Sequence, residues 1–388
     1  MDVRRCFPCD EKVDNKSFES RIERIYHALL DEKSQYIFSC RMMYSLTKDY
    51  KYISKILAKT DAGRQFSEKL DSVINEVGFF NGTGINRCGS GEFGDCLVGD
   101  GQGALIYGAG IKGTRLVQLF PEKNWKGYID RYRRGILNGL PILGINECKN
   151  LSDKSIVISN TMNPYDIKND LVNEGVSEKN IIILREYDSI AGQNIYFDDA
   201  ILRNVKEIKG AFIDVGCYDG ADTINYFKRT GNINAPVIAI EADATNYNIC
   251  KKILQAYKNV SVINVGLSDK KEVKKFNQIS TSNSKFSESG NVEVKTVPLD
   301  TIVEKQSVGF IKMDIEGYEE RALRGAMKTI IEQHPILAIS IYHKRSDIWK
   351  LPELLLEMNP GYRFYLRHYT VGVTDTVIYA IDKRNLIV

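Results

Sequence analysis

The sequence predicts an α/β chain in three parts: an N-terminal helical arm, a small parallel α/β unit, and a larger seven-stranded sheet whose last strand is antiparallel. Three observations predict it. At 388 residues the chain exceeds the roughly 100–200 residues of one average domain. Short apolar runs alternate with helical patterns in two separate series, over Ala104–Leu184 and again from Ala211 onward. Ahead of both series, apolar residues recur at three-and-four spacing, the mark of a buried helix face.

In the arm, Ile22, Ile25, Tyr26, Leu29 and Leu30 share one face, and Ile53, Ile56, Leu57, then Phe66, Leu70 and Val73 carry the pattern to about Val77. That face is expected either to pair two copies of the chain as a homodimer or to pack on the small unit. Asn81–Gly103 is dense in glycine and reads as a linker. The domains are therefore set at 1–103 for arm and linker, 104–190 for the small unit and 195–388 for the large one.

Strands of the small unit are expected at Ala104–Tyr107, Gly127–Ile129, Ile156–Ser159 and Ile181–Leu184, with helices after Lys112 and Asp166. Those of the large unit are expected at Phe212–Val215, Val237–Ile240, Val260–Val265, Phe310–Met313, Ile336–Ile341, Arg363–Arg367 and Thr376–Ile381. The last two follow one another across a short loop. A parallel crossover needs about a dozen residues or more, so the final strand runs antiparallel.

Basic and acidic residues nearly cancel, 53 against 50, so no broad field favours nucleic acid or an anionic membrane as a partner. No apolar run approaches the roughly 18–20 residues of a membrane-spanning helix, and Met1–Asp10 lacks the apolar core of a signal peptide. A cytoplasmic protein with reduced thiols is expected, its cysteines being scattered along a long chain. Cys6-Phe7-Pro8-Cys9 is a C-x-x-C, but Cys88 and Cys96 are spaced too widely to complete the usual zinc knuckle, which favours free thiols.

The first strand of the large unit runs into Asp214-Val215-Gly216-Cys217-Tyr218-Asp219-Gly220. A strand, a glycine turn and a helix start in that order make a ligand cradle at the carboxyl edge of an open sheet. Gly216 and Gly220 let backbone approach a ligand, and Asp214 can accept from an ammonium group. The next strand ends in Glu241-Ala242-Asp243, an acid placed to receive two ribose hydroxyls. The third ends at Gly266-Leu267-Ser268-Asp269, a polar edge suited to an adenine amino group. Single strand-end acids are ordinarily caps or solvated groups. Two in register, one of them inside a glycine turn, favour a ligand, here S-adenosylmethionine.

From Asp214 onward the chain resembles the FkbM family of methyltransferases. The resemblance is carried by Asp214-Val215-Gly216 with Gly220, by Glu241, by Val297-Pro298-Leu299-Asp300-Thr301-Ile302, and by Ile311-Lys312-Met313-Asp314-Ile315-Glu316-Gly317-Tyr318-Glu319. Thr376-Val377-Ile378-Tyr379-Ala380-Ile381 closes it. It covers about half the chain and implies a Rossmann-like methyltransferase sheet and methyl transfer, usually to oxygen, often on a sugar, nucleotide sugar or natural product in polysaccharide biosynthesis.

The acceptor is then expected beside the fourth strand, near Asp314 and Glu316. Its hydroxyl proton needs a base, and Asp314 or His343, just past the fifth strand, is a candidate. Asp314 with Glu316 also offers hard oxygen ligands to a divalent metal such as magnesium, without requiring one. Glu319 and Glu320 read as favouring the next helix start, and Lys312 as a structural partner of a buried acid. His368 and Tyr369 line the acceptor pocket or simply pack in the core.

A rival lies upstream. Gly108-Ala109-Gly110-Ile111-Lys112-Gly113 is a G-x-G-x-x-G between strand and helix, and Asp130 ends the next strand. This second nucleotide-type site fits a nicotinamide-dependent oxidoreductase or a nucleotide-sugar-binding module. With Gly127-Tyr128-Ile129-Asp130 and Gly139-Leu140-Pro141-Ile142-Leu143-Gly144, the unit resembles the small N-terminal domain of sugar acyltransferases. Lys112, Arg115, Arg131, Arg133 and Arg134 offer charges for phosphates, or are scattered surface groups.

Overall fold

The computed structural model describes residues 15–79, 103–148, 151, 154–159, 163–187, 195–279 and 284–387. The C-x-x-C, Cys88, Cys96 and nearly all of the glycine-rich linker lie outside the described residues. Two compact units emerge. One takes Met1–Lys48, Gln193–His368 and Thr374–Val388, the other Asp49–Gly192 with Tyr369–Val373. The expected arm is therefore divided. Helices α1 (Asn15–His27) and α2 (Glu32–Thr47) belong to the larger unit, whereas α3 (Lys51–Leu57) and α4 (Asp61–Phe79) belong to the smaller.

In the smaller unit, β1 (Ala104–Tyr107), β2 (Trp125–Ile129), β3 (Gly135–Leu137), β4 (Leu140–Leu143), β5 (Ser155–Ile158) and β6 (Ile181–Ile183) form a sheet of order β3-β4-β2-β1-β5-β6. All its pairings are parallel except β3 with β4, a hairpin the sequence reading did not place. Every residue of β1 and β5 is buried, as the apolar runs Ala104–Tyr107 and Ile156–Ile158 require when both faces are covered. Helix α5 (Ile111–Leu119) follows β1, and α6 (Pro164–Asn173), with proline in its first turn, follows β5.

The larger unit is built on β7 (Ala211–Val215), β8 (Val237–Ile240), β9 (Val260–Ile263), β14 (Val308–Met313), β15 (Ile336–Ser340), β16 (Tyr362–His368) and β17 (Thr376–Asp382). Their order is β16-β17-β15-β14-β7-β8-β9, and β17 runs antiparallel between β15 and β16, as expected. The chain steps from β7 outward to β9 on one side and then places β14 on the other. A crevice opens at the carboxyl edge where that reversal occurs. Phe212, Tyr226 and Phe310 fill the core beneath it, with Phe212 and Tyr226 stacked at 4.2 Å.

A second sheet of order β10-β13-β11-β12 was not legible: β10 (Gly266–Leu267), β11 (Glu272–Asn277), β12 (Lys285–Phe286) and β13 (Val292–Val297). Glu-Val-Lys-Lys-Phe-Asn and Val-Glu-Val-Lys-Thr-Val bury little beyond Phe276 and Thr296, so their apolar signal is weak.

Helices α1 and α2 pack within their own unit, with Ile25 and Leu29 buried and Tyr26 and Leu30 exposed. Arg21 pairs with Glu353, Arg24 Nη2 donates to Leu356 O at 2.7 Å, and Phe18 meets Trp349 edge-on. Phe364 N donates to Ala28 O, Leu30 N donates to Phe364 O, and Arg367 Nη2 donates to Asp31 Oδ2 at 2.6 Å. These contacts shield the edge of β16. No helix among the described residues is long and apolar enough to cross a membrane.

Candidate active site

The loop after β7 is shaped by its neighbours. Gly216 has φ +78°, and a Cβ there would lie 2.0 Å from Asp314 O, so glycine is demanded by close packing on β14. Tyr218, with φ +49°, extends the left-handed turn, and Gly220 starts the helix Ala221–Thr230.

Beneath this loop lies Lys312, whose side chain is 2% exposed. Its Nζ donates to Gly216 O at 2.7 Å and lies 2.9 Å from Asp222 Oδ2 and 3.2 Å from Asp214 Oδ1. The expected buried-acid partner of Lys312 is thus a pair of acids. Burial opposes the ammonium, but Asp214 and Asp222 together hold its pKa well above the ordinary lysine value.

Asp214 is fully buried, and its Oδ2 accepts from Thr223 Oγ1 at 2.8 Å. It braces the loop from below and does not line the cavity above. Asp243 does not line it either. It caps the helix Ala244–Leu254 through Thr245 N and Asn246 N, and it also accepts from Gln278 Nε2 and Ser284 Oγ. Ser268 is fully buried and donates to Asp269, Cys217 is buried with its Sγ 3.1 Å from Cys250 Sγ, and Asp219 accepts from Ala221 N. None of these three lines the cavity, nor does Gly220.

Gly216, Tyr218, Glu241, Ala242, Gly266 and Leu267 do line it. Glu241 Oε2 accepts from Tyr218 N and Oε1 from Asp243 N, both at 2.9 Å, while burial raises its carboxyl pKa. The sequence reading missed Asp222, Asn246, Phe276, Ser284 and Phe286, which complete the wall. Phe276 and Phe286 meet at 5.1 Å, and Phe286 meets Tyr318 at 4.4 Å. Two phenylalanines in otherwise charged strands were the available signal.

Asp314, Glu316 and His343 come together at the same edge. Asp314 Oδ2 accepts from Tyr196 OH at 2.7 Å, and its Oδ1 lies 3.3 Å from His343 Nε2. Glu316 holds φ +54°, a strained value for a glutamate, and its Oε2 lies 3.7 Å from His343 Nε2. Glu319 is more than a helix-start acid. It is 1% exposed, accepts from Ile315 N and Gly317 N, and sets Oε1 2.8 Å from His343 Nδ1.

Burial pulls the His343 pKa down, but Glu319, Asp314 and Glu316 outweigh it and lift the group to about 9. Burial lifts Glu316 to about 7, with Asp314 and Glu319 adding to it and His343 opposing. Asp314, Glu319 and His343 each set one ligand-type atom within 4.8 Å of the others, so a cation here would draw on Glu319 rather than on the expected Asp314 and Glu316 pair. His368 is buried with Nδ1 2.8 Å from Thr376 Oγ1, and Tyr369 is buried as well.

The rival loop is braced by its own acid. Asp130 Oδ2 accepts from Ala109 N, and Oδ1 accepts from Tyr132 N and Arg133 N. A Cβ at Gly113 would lie 2.0 Å from Gly108 O, so that glycine serves helix-to-strand packing, whereas Gly110 has open space. Of the expected phosphate-binding charges, Arg133 donates to Ala109 O, Arg134 pairs with Glu147, and Arg131 faces Asp170. The adjoining cavity is also lined by Asp166 and Asp170, which repel a phosphate.

No curated protein matches the chain. Among solved structures, the methyltransferase FkbM from Methylobacillus flagellatus KT is similar, with 19% identity and a TM-score of 0.46 over 82% of this chain and 99% of that one. Aeropyrum pernix fibrillarin, in complex with natively bound S-adenosyl-L-methionine, is similar at 10% identity and a TM-score of 0.33, over 49% of this chain and 76% of its own. The family profile described as "Methyltransferase FkbM domain" matches from Asp214, at the glycine loop, to residue 370, past β16. Residues 214–370 of this chain are a methyltransferase FkbM domain.

Proposed function

We propose that the chain is an S-adenosylmethionine-dependent O-methyltransferase acting on a hydroxyl of a sugar, nucleotide sugar or glycan. One observation carries the reading. A single cavity is lined by Gly216 and Tyr218 of the glycine loop, by Glu241, and by Asp314 and Glu316. Cofactor-binding and proton-accepting groups share its wall. Phe276, Phe286 and Leu267 offer an apolar end for a purine, and Glu241 keeps lone pairs for ribose hydroxyls beyond its two backbone amides.

When bound, the cofactor supplies an electrophilic methyl group and keeps the methyl–sulfur bond pair as it departs. The chain's own task is to orient a hydroxyl and take its proton as the carbon–oxygen bond forms. His343, lifted to about 9, is an imidazolium near neutral pH and cannot accept that proton. Asp314 is held by Tyr196 and His343. Glu316, strained, cavity-lining and lifted to about 7, is the base, and His343 holds the two carboxylates in place.

Calorimetry with S-adenosylmethionine tests the cofactor, and a panel of nucleotide sugars and glycans read by S-adenosylhomocysteine release tests the acceptor. Absence of binding heat in the wild-type protein refutes the first. Turnover on an amine or a carbon acceptor alone refutes the second.

A further inference from the structure

We infer that Asp222 is the carboxylate that receives the α-ammonium of the cofactor's amino-acid portion, with Lys312 holding it in place and Asp214 excluded from the contact. The inference rests on the S-adenosylmethionine reading and deepens it.

Three ionisable groups lie together under the glycine loop: Asp214, Lys312 and Asp222. Two carboxyl groups face one amine. Lys312 Nζ donates to Gly216 O and lies within ion-pair distance of both Asp214 and Asp222, so its charge is shared between the two acids. Asp214 has no exposure and is turned toward Thr223 and Lys312. Asp222 differs. Its side chain keeps 32% of its exposure and lines the cavity. One oxygen, Oδ2, meets Lys312, and among the described residues the other has no partner. Burial, with Asp214 and Asp314 close by, raises its carboxyl pKa against the pull of Lys312. A second cation on the cavity side relieves that strain.

The cavity's polarity sets which cation. Its two phenylalanines, Phe276 and Phe286, lie with Leu267 on the β10 to β12 side, whereas Asp222, Lys312, Asp314 and Glu316 lie where β7 meets β14, with Glu241 past the end of β8. An adenosine bearing an amino acid therefore enters with its purine toward the phenylalanines and its amino acid toward Asp222. An ammonium has N–H donors for a carboxylate oxygen, and a sulfonium has none. The sequence offered Asp214 for this role because it ends the strand. The register pairing Asp214 with Lys312 turns that acid inward and leaves the first turn of the following helix to supply the contact.

The test compares two ligands on two proteins by calorimetry. The ligands are S-adenosylhomocysteine and its deaminated analogue, a thioadenosine carrying a carboxypropyl chain in place of homocysteine. In Asp222→Asn, affinity for S-adenosylhomocysteine falls about tenfold or more, as loss of a charge-assisted bond predicts, while affinity for the analogue is unchanged. Asp222→Glu, which keeps the charge, recovers part of the loss. The inference is overturned if Asp222→Asn binds S-adenosylhomocysteine as the wild type does, or loses both ligands equally, as a collapsed loop would. Wild-type protein that binds neither ligand overturns the cofactor reading itself, which is a separate result.

Discussion

The chain turns twice from a parallel strand through a glycine-rich loop into a helix, and the two turns are braced alike. Asp130, at the end of β2, accepts from Ala109 N in the first loop, and Glu241, at the end of β8, accepts from Tyr218 N in the second. The difference lies in the neighbouring strand. Beside the first loop, β5 gives way to Ser159, whose Oγ donates to Tyr107 O and Gly108 O. Beside the second, β14 contributes Lys312, Asp314 and Glu316, and the segment after β15 contributes His343. The comparison teaches that the loop is a local mould, and that chemistry arrives from strand ends about a hundred residues further along the chain.

The largest effect should come from the base. Glu316→Gln keeps the shape of the site and removes the proton acceptor, so kcat should fall by about 10²- to 10⁴-fold with S-adenosylhomocysteine binding intact. Steady-state turnover beside calorimetry separates the two. A fall of less than about tenfold would return the base to Asp314 and weaken the contrast between the loops.

The same assignment fixes the pH dependence. Glu316 must be ionised to accept a proton, so the rate rises as pH climbs through about 7. His343 must keep its proton to hold Asp314 and Glu316, so the rate falls as pH climbs through about 9. Glu319, on the helix that follows, faces His343 and is part of what sets the upper limit. A bell between those values is expected, and its lower limb should vanish in Glu316→Gln. A rising limb that survives in that variant would assign it to another group.

Lys312→Met should act on stability. It leaves Asp214 and Asp222 facing each other with no cation between them, at a cost of about 3–5 kcal/mol, measured by urea unfolding at neutral pH. The deficit should shrink in acid, where either carboxyl takes up a proton. No buried ion pair of this kind braces the first loop among the described residues, so Ser159→Ala there should cost only about 1 kcal/mol.

How much of this the sequence disclosed follows from which signals are local. Every strand of the large sheet was legible because an apolar run such as Val237–Ile240 or Ile336–Ile339 has few alternatives to a buried strand. The antiparallel β17 followed from loop length alone. The β3–β4 hairpin was missed because its strands are only three and four residues long and carry Gly135 and Pro141, and β11 and β13 were missed because their residues are half exposed and largely charged, so pairing partners and not burial define them. The division of the arm was also hidden. Ile25 and Phe66 carry the same periodicity, and nothing in it says that one is buried in the larger unit and the other in the smaller. At the site, strand-end position located the acids but not their orientation. Asp214 and Asp222 are eight residues apart, and only the register against Lys312 decides which of them meets the cavity.

The smallest effect concerns the first loop. Asp130→Asn keeps Oδ1 for Tyr132 N and Arg133 N but weakens the brace on Ala109 N, which should cost about 1–2 kcal/mol in thermal or urea unfolding. Methyl transfer and S-adenosylhomocysteine binding should not change. A nicotinamide dinucleotide is expected to bind neither protein, because the acid that a ribose would need already accepts three backbone amides, and Asp166 and Asp170 line the cavity where a pyrophosphate would lie. Titration of reduced nicotinamide dinucleotide, followed by its own fluorescence, tests this directly. Saturable binding that Asp130→Asn abolishes would make the first loop a working nucleotide site, and would locate the difference between the two turns in the ligand each one takes.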